Sequence, residues 1–344
     1  MKFDYTAIDL YHPCSRARKC PRPASYEQNS TRNLLPFQPM DAVSISHVTR
    51  TFATVTAVDD LSLTVPQGSI YGFIGPNGSG KTTTMRMIVN IFYPDRGEIR
   101  LFGDGRPENS TDLIGYLPEE RGLYQKMTVE ALLEFYGELR SGRSVKADVA
   151  RWLERLGLAS RASDKVETLS KGMSQKVQFI ATVIPEPKLL ILDEPFSGLD
   201  PVSAEAIRSA ILDLRGRGVT VILSTHDMYL AESMCEYILM IFRGRKVLDG
   251  TLASIQDQYG EDTIRVTADG GFAAVESLPG VEQIRDLGQV RELRLAHGAD
   301  PQEALRALVA QVRLTSFSLM RPSLHDIFMR IAGPAAEEAN HANA

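Results

Sequence analysis

A glycine-rich stretch, Gly75-Pro-Asn-Gly-Ser-Gly-Lys-Thr82, constrains the fold more than any other part of the chain. It matches the phosphate-binding pattern G-x-x-x-x-G-K-[ST] at every position. Its glycines let the backbone turn tightly, so that N–H groups can point at phosphate oxygens. Lys81 supplies a positive charge for the β- and γ-phosphates, and the Thr82 hydroxyl can bind Mg²⁺. The residues expected to bind the phosphates are Gly75, Pro76, Asn77, Gly78, Ser79, Gly80, Lys81, Thr82 and Thr83.

The residues on both sides of this loop predict a strand before it and a helix after it. Ile70–Ile74 is a short, mostly apolar run, as a buried strand is. After the loop, Met85, Ile88, Val89 and Phe92 recur at helical spacing, which predicts a helix with one buried face. A strand, a glycine loop and a helix N-terminus together form a typical anion site.

Two further apolar runs end in polar residues that suit such a site. Leu189–Leu192 is continuously apolar, as in a central parallel strand covered on both faces, and Asp193 and Glu194 follow it. Val219–Leu223 repeats this pattern and leads to His226. Open α/β sheets place ligands at the carboxyl ends of their strands. The sequence therefore predicts an α/β fold with these polar residues at the ligand-binding edge.

The pattern of strands and helices predicts one large domain with an insert. We expect residues 40–255 to form the α/β domain and residues 112–184, approximately, to form a helical insert within it. The stretch 112–158 is predicted to be mainly helical, and its clearest helices are Glu130–Leu139 and Ala147–Leu156.

A second, smaller domain is predicted after the first. Residues 262–331 contain several short strands, a helix at Pro301–Val312 and a closing helix that starts at Pro322, which indicates a small α+β domain. Residues 1–39 and 332–344 are expected to be disordered. The residues expected on the buried face of the Pro301–Val312 helix are Ala304, Leu305, Leu308 and Val309.

The bulk composition limits the possible partners. A formal net charge of −5 provides no basic field of the kind that binds nucleic acid. No apolar run approaches the 18 residues that a membrane span needs, so contact with a membrane is expected to go through a partner. The cysteines are Cys14, Cys20 and Cys235, and an odd number argues against a disulfide scaffold. Met40 is a second candidate for the natural start of the protein, because the alternation of apolar and polar residues that is typical of a folded strand begins just after it.

With four motifs in one order, the chain resembles the ATP-binding subunit of an ATP-binding cassette (ABC) transporter over roughly residues 43–250. The resemblance implies a P-loop NTPase domain of the ABC type with a helical subdomain, and ATP and Mg²⁺ as cofactors. The matching segments are Gly75–Thr82 (Walker A), Leu169–Met173 (the LSGGQ signature), Leu189–Glu194 (Walker B and the glutamate after it), Ser197–Asp200 (D-loop) and His226 (switch histidine).

The resemblance implies a role for each residue of the hydrolytic centre. Asp193 and Thr82 would hold Mg²⁺, since hard oxygen ligands suit that ion. Glu194 would orient and polarise the attacking water. His226 would contact the γ-phosphate and help to hold the water.

The resemblance also implies contacts to the base and across a dimer. Phe52 resembles the aromatic residue that stacks on adenine, with Val58 nearby, although simple core packing would also explain Phe52. Two copies, or two similar subunits in a pseudo-dimer, would face head to tail, and Ser170 and Gly172 of one copy would complete the γ-phosphate site of the other. Asp200 of the D-loop is expected beside the same nucleotide.

The chain departs from the family pattern in two motifs. Its signature is Leu-Ser-Lys-Gly-Met, in which Lys171 either adds a cation near the phosphate or faces solvent. Glu119 stands where the family has the Q-loop glutamine. Its carboxylate can approach Mg²⁺, but it brings a negative charge near ATP. The loop Glu119–Tyr124 is the candidate contact with a transmembrane partner.

The resemblance favours one function over two others. Leu117–Tyr124 and the small C-terminal domain resemble a bacterial exporter subgroup that includes sodium-extrusion ATPases. We expect an ATPase at the cytoplasmic face of the cell membrane that dimerises on ATP and drives export through a separate permease. One alternative is an ABC ATPase that acts on nucleic acid or the ribosome, for which the acidic balance is unfavourable. The other is a nucleotide switch without turnover, against which Glu194 argues.

Overall fold

The structure, a computed structural model, describes residues 41–103, 105–120, 122–259, 263–269, 278, 280–288, 290–296 and 298–332. The disorder predicted for residues 1–39 and 332–344 concerns residues outside these ranges, except that Ala332 is buried at the end of the last helix, where the prediction is wrong.

The described residues form strands and helices in alternation. The strands are β1 (Asp41–Phe52), β2 (Val55–Pro66), β3 (Ile70–Ile74), β4 (Arg96–Leu101), β5 (Ile114–Leu117), β6 (Leu189–Asp193), β7 (Thr220–Thr225), β8 (Tyr237–Phe242), β9 (Arg245–Thr251), β10 (Thr263–Asp269), β11 (Val281–Asp286), β12 (Arg291–Leu295) and β13 (Arg313–Met320). The helices are α1 (Lys81–Ile88), α2 (Val129–Ser141), α3 (Lys146–Arg155), α4 (Lys171–Val183), α5 (Pro201–Gly216), α6 (Met228–Met234), α7 (Leu252–Tyr259), α8 (Pro301–Gln311) and α9 (residues 324–332). None of these helices has the length and apolar character needed to cross a bilayer.

A six-stranded sheet forms the centre of the first domain. Its order is β5-β6-β7-β3-β8-β9, and every neighbouring pair is parallel except the β8–β9 hairpin. Every residue of β6 is buried, as predicted for a central strand. Asp193 of β6 lies opposite Ser224 of β7, so the carboxyl ends of these strands meet at one edge of the sheet.

Both faces of this sheet are covered. Tyr71 and Phe73 of β3 point into a core shared with the antiparallel sheet β2-β1-β4 and with α1. Ile70 and Ile74 of the same strand point into a second core, which is shared with α2 to α6. This alternation along one strand explains why β3 is apolar on both sides.

Two elements of the first domain differ from the sequence-based predictions. Residues 114–117 form strand β5 inside the stretch predicted to be mainly helical, because they pair in parallel with β6. Gly115 allows the close approach of α4, since a Cβ atom there would lie 2.8 Å from the Thr182 carbonyl oxygen. Helix α1 ends at Ile88 and does not continue to Phe92, because Asn90 adopts a left-handed conformation (φ 62°). The predicted helices Glu130–Leu139 and Ala147–Leu156 are confirmed by α2 and α3.

The C-terminal part contains a four-stranded antiparallel sheet of order β11-β12-β10-β13, on which α8 packs. Ala304 and Leu308 of α8 are fully buried, as predicted. The prediction that Val309 shares this buried face is wrong: 61% of its surface is exposed, since only one narrow stripe of α8 contacts the sheet.

The last helix packs on the first domain. It starts later than Pro322, because Ser323 caps it: the Ser323 Oγ accepts from the Asp326 N–H (3.1 Å). Leu324 and Ile327 belong to the core of the first domain, and the Phe328 ring contacts that of Phe242 edge to face, with centroids 6.1 Å apart. The chain after the small sheet therefore returns to the first domain.

Candidate active site

The glycine-rich loop connects β3 to the first residue of α1, which is Lys81. Gly80 occupies the N-cap position, and no side chain caps the helix. The N–H groups at the start of a helix have no partner within the helix. Those of α1 are therefore available to an anion, in the orientation that the helix dipole favours.

Two of the loop glycines are required by close backbone packing. Gly75 has φ 146°, and a Cβ atom there would lie 2.2 Å from the Ile241 carbonyl oxygen. Gly80 has φ 112°, and its Cβ atom would lie 2.5 Å from the Ala57 carbonyl oxygen. Any side chain at either position would displace the loop, so its shape depends on glycine.

Lys81 lies buried at the bottom of the loop. Its Nζ donates hydrogen bonds to the carbonyl oxygens of Gly75 (2.7 Å) and Pro76 (3.1 Å). Burial lowers the pKa of Lys81, and nearby carboxylates oppose this shift. The carboxylates that raise the pKa are those of Glu194, Asp193 and Glu119. The cation therefore lies within the electrostatic field of all the acids predicted for the site.

Asp193 leaves one oxygen free in this site. Only 1% of its surface is exposed, and its Oδ1 accepts a hydrogen bond of 2.5 Å from the Ser224 Oγ. Its Oδ2 is buried and has no hydrogen-bond partner, and the same holds for the Ser79 Oγ. Unpaired buried polar atoms are rare and call for an explanation such as a bound ion.

These oxygens fit the Mg²⁺ ion that the resemblance implies. The free Asp193 oxygen and the Thr82 hydroxyl belong to residues that line one cleft, and hard oxygen ligands suit Mg²⁺. Within the described ranges, no three His, Cys, Asp or Glu side chains form a metal-binding group. Mg²⁺ usually keeps waters and substrate phosphates among its ligands, so phosphate oxygens would have to complete its coordination.

Glu194 and His226 form a pair at the mouth of the site. The His226 Nδ1 lies 3.0 Å from the Glu194 Oε1, with the glutamate buried and the imidazole largely exposed. The Glu194 N–H donates to the Ser224 Oγ (2.9 Å), so the same serine holds both acids. Glu194 also has a positive φ of 49°, a strained conformation that is common at active sites.

One cleft of about 290 Å³ brings most of the predicted residues together. Sequence reasoning missed Ala57 and Ser224. Ala57 carries no chemical signal, but Ser224 is a hydroxyl at the end of a buried strand, and that signal was available. The cleft is lined by Ala57, Asn77, Gly78, Ser79, Gly80, Lys81, Thr82, Thr83, Glu119, Asp193 and Glu194.

The signature and D-loop residues lie beside each other, and none of them is among the residues that line the cleft. Ser170 caps α4, and its Oγ accepts from the Met173 N–H (3.3 Å). A Cβ atom on Gly172 would lie 3.8 Å from the Asp200 Oδ2. Asp200 caps α5, and hydrogen bonds from Ser203 lower its pKa. Ser170, Gly172 and Asp200 thus form a separate surface of the same copy.

The two residues expected near the base differ in their exposure. Phe52, at the end of β1, is 37% exposed. Val58 is fully buried, so it has no surface to offer a base. Its Cγ2 lies 3.5 Å from the position of a Cβ atom on Gly80, and Val58 therefore supports the loop from the core side.

Comparison with known proteins identifies the same two parts of the chain. Residues 58–197 match the ABC transporter family, and residues 250–332 match the C-terminal domain of DrrA1-3-like ATP-binding proteins. YhaQ, an ABC transporter ATP-binding protein of Bacillus subtilis, is 39% identical over 299 residues, which cover 86% of this chain and 100% of YhaQ. Nod factor export ATP-binding protein I of Paraburkholderia xenovorans is 34% identical over 303 residues, which cover 86% of this chain and 98% of that protein.

A third relative and two solved structures extend the comparison. The linearmycin resistance ATP-binding protein LnrL of Bacillus subtilis is 31% identical over 305 residues (83% of this chain, 97% of LnrL). A solved ATP-binding subunit of an ABC transporter has a TM-score of 0.60 at 30% identity and covers 64% of this chain and 93% of its own. The ADP form of the ATP-binding cassette MJ1267 has a TM-score of 0.54 at 23% identity (62% and 91%), which shows a shared fold.

Proposed function

The chain belongs to the ATP-binding proteins of ABC transporters, and from this premise we propose that two copies bind Mg²⁺·ATP between them and drive export through a separate permease. The observation that carries the proposal is the cleft in which Lys81 lies within the field of Asp193 and Glu194. A relative that is named for Nod factor export supports the direction of transport.

The residues of the cleft would divide the work of binding between them. The loop N–H groups and Lys81 would bind the β- and γ-phosphates. Thr82 and Asp193 would hold Mg²⁺, which neutralises charge on the phosphates when it is bound. Glu194 would accept hydrogen bonds from the attacking water, and the contact of 3.0 Å with His226 would fix the orientation of its carboxylate.

A second copy would complete the site. Ser170 and Gly172 lie at the N-terminus of α4, so their hydroxyl and N–H groups can serve a phosphate. Since they do not line the cleft of their own copy, we infer that they serve the nucleotide of the other copy, with Asp200 beside them. ATP would then hold two copies together, and hydrolysis would release them.

Helix α4 would connect this dimer contact to the permease. The Gln175 Nε2 donates to the Pro195 carbonyl oxygen (3.3 Å), next to Glu194. One turn further, the Gln178 Nε2 donates to the Glu120 carbonyl oxygen (3.3 Å) in the loop predicted to meet the permease. A movement of α4 at either site would therefore reach the other through direct hydrogen bonds.

An apolar patch, which consists of Tyr124, Phe135 and Leu139 with the half-buried Tyr136 among them, begins at the last residue of this loop. The three rings contact one another with centroids 5.6 to 6.1 Å apart. Phe135 is 44% exposed and Leu139, one turn along α2, is 69% exposed. A contiguous exposed apolar patch indicates a protein contact, and we assign this one to the permease.

We expect Phe135→Glu to abolish co-purification of the permease from native membranes, because a charge in an apolar interface is left unpaired. The ATPase activity of the purified chain is expected to stay unchanged. Val309→Glu, which changes another exposed apolar residue, on α8, is the control and should retain the permease. Recovery of the native protein solely with ribosomes or DNA would overturn the transporter proposal.

Glu119→Gln tests whether this carboxylate binds Mg²⁺. If it does, the variant needs about two to five times more Mg²⁺ for half-maximal hydrolysis, because a neutral amide is a weaker ligand than a carboxylate. Without Mg²⁺, the variant should bind ATP more tightly than the wild type, because one negative charge beside the phosphates is gone. Titrations of Mg²⁺ and of ATP in chelator measure both effects. Tighter ATP binding with an unchanged Mg²⁺ requirement would remove Glu119 from the metal site.

A further inference from the structure

We propose that Arg50 positions the Phe52 ring as a one-sided platform for adenine, so that the base stacks only on the outer face of this ring. Arg50 is then a positioning residue, because it acts through Phe52 and does not touch the nucleotide. The inference rests on the proposed ATP site, and it adds a residue outside the motifs that identify this site.

The two faces of the Phe52 ring have different surroundings. The Arg50 guanidinium carbon lies 4.7 Å from the centre of the ring, over one face. The Phe92 ring makes an edge contact with Phe52, with centroids 5.2 Å apart. The guanidinium lies 5.9 Å from the centre of Phe92, so Arg50 and Phe92 lie in roughly perpendicular directions from Phe52. Arg50 covers one face of the ring and Phe92 makes the edge contact, yet Phe52 stays 37% exposed. We infer that the exposed part is the face opposite Arg50.

The guanidinium is held in place by a carboxylate from another part of the chain. The Arg50 Nη1 donates to the Asp95 Oδ1 (2.7 Å). The Asp95 Oδ2 accepts from the Thr51 N–H (2.7 Å), and the Asp95 N–H donates to the Thr49 carbonyl oxygen (2.8 Å). Asp95 is thus fixed to the backbone on both sides of Arg50, and the cation is confined to the inner face of the ring.

The platform lies at a suitable distance from the phosphate loop. Phe52 pairs with Val55 across the β1–β2 turn, and Ala57, two residues along β2, lines the cleft. Two strand residues span roughly 7 Å. The close approach of the Ala57 carbonyl to Gly80 attaches this hairpin to the loop, so base and phosphates would be bound by one connected unit.

A cation over an aromatic face is attracted by the electrons of the ring. A planar guanidinium can also stack flat on an aromatic ring, which the compact ammonium of lysine cannot. Arg50 would therefore order the ring before the base arrives and reduce the entropy that is lost on binding.

The test compares two ligands that share the phosphates and differ in the base: ATP and inorganic tripolyphosphate, both with Mg²⁺, measured by titration calorimetry. Arg50→Met, which keeps an unbranched apolar stem, is expected to weaken ATP binding about three- to tenfold and to leave tripolyphosphate binding unchanged. Arg50→Lys should recover only part of the loss. The KM for ATP should rise by the factor by which the affinity for ATP falls, whereas kcat should stay the same.

A double-variant cycle separates positioning from general destabilisation. In a Phe52→Ala background, Arg50→Met should have no further effect on ATP affinity. Arg96→Met, at an exposed arginine of the neighbouring strand β4, is the control and should change neither ligand. Equal weakening of both ligands by Arg50→Met, or no weakening of ATP, would overturn the inference. Failure of the wild type to bind either ligand would instead overturn the proposed ATP site.

Discussion

Glu194→Gln is expected to lower ATP hydrolysis by about two to four orders of magnitude, the usual range for loss of a general base. The substitution keeps the size of the side chain and removes the charge that polarises the attacking water. The Ser224 hydroxyl would still accept from the backbone N–H of residue 194, so the site should keep its shape. Phosphate release at saturating Mg²⁺·ATP measures the loss, and calorimetry should show that ATP still binds.

The charge-matched control for this variant is Glu205→Gln on the exposed surface of α5, which should retain full activity. A third measurement is the oligomeric state of the variant. With Mg²⁺·ATP, Glu194→Gln should accumulate as a dimer, because the nucleotide that holds the two copies together is not consumed. Undiminished hydrolysis by Glu194→Gln would remove this residue from the mechanism.

Ser170→Asp is expected to abolish hydrolysis while ATP binding to the single copy is preserved. Asp is as good an N-cap as Ser, so α4 should keep the hydrogen bond from the Met173 N–H. The added carboxylate would repel the γ-phosphate of the nucleotide on the other copy. We expect a loss of at least about 100-fold in phosphate release, comparable with the loss of one strong transition-state contact.

Ser170→Asn is the matched control, because it is nearly isosteric with Asp, caps the helix and is neutral. It should retain most of the hydrolysis that Ser170→Asp loses. Lys171→Ala provides a second comparison. The Lys171 Nζ lies over Gly198 of the same copy, 2.5 Å from the position of a Cβ atom there, so its removal should alter the D-loop turn more than the phosphate contact.

Much of the candidate site could be predicted because its chemistry is local in sequence. The loop before Lys81 needs glycine where the backbone approaches Ile241 and Ala57 closely, and this requirement is visible as a motif. The apolar run of β6 predicts both its burial and the position of Asp193 at its carboxyl end. The start of α5 was also readable, since Asp200 followed by Pro201 is a strong helix-start signal, although this helix was not predicted.

Other features depend on contacts between distant residues, which the sequence does not display. Strand β5 is only four residues long, and a short apolar run fits a strand or a helix equally well. Nothing in the local sequence shows that Val58 is turned into the core or that α9 returns to the first domain. The contact between Arg50 and Asp95 joins residues 45 positions apart and appears only in the folded chain.

The central claim, that two copies share each nucleotide, is tested most directly in the Glu194→Gln background by light scattering after gel filtration. With Mg²⁺·ATP, the Glu194→Gln variant should elute as a dimer that retains two ATP molecules. The variant that also carries Ser170→Asp should elute as a monomer that binds one ATP. A dimer that persists in the double variant, or a double variant that no longer binds ATP as a monomer, would contradict a site completed by the other copy.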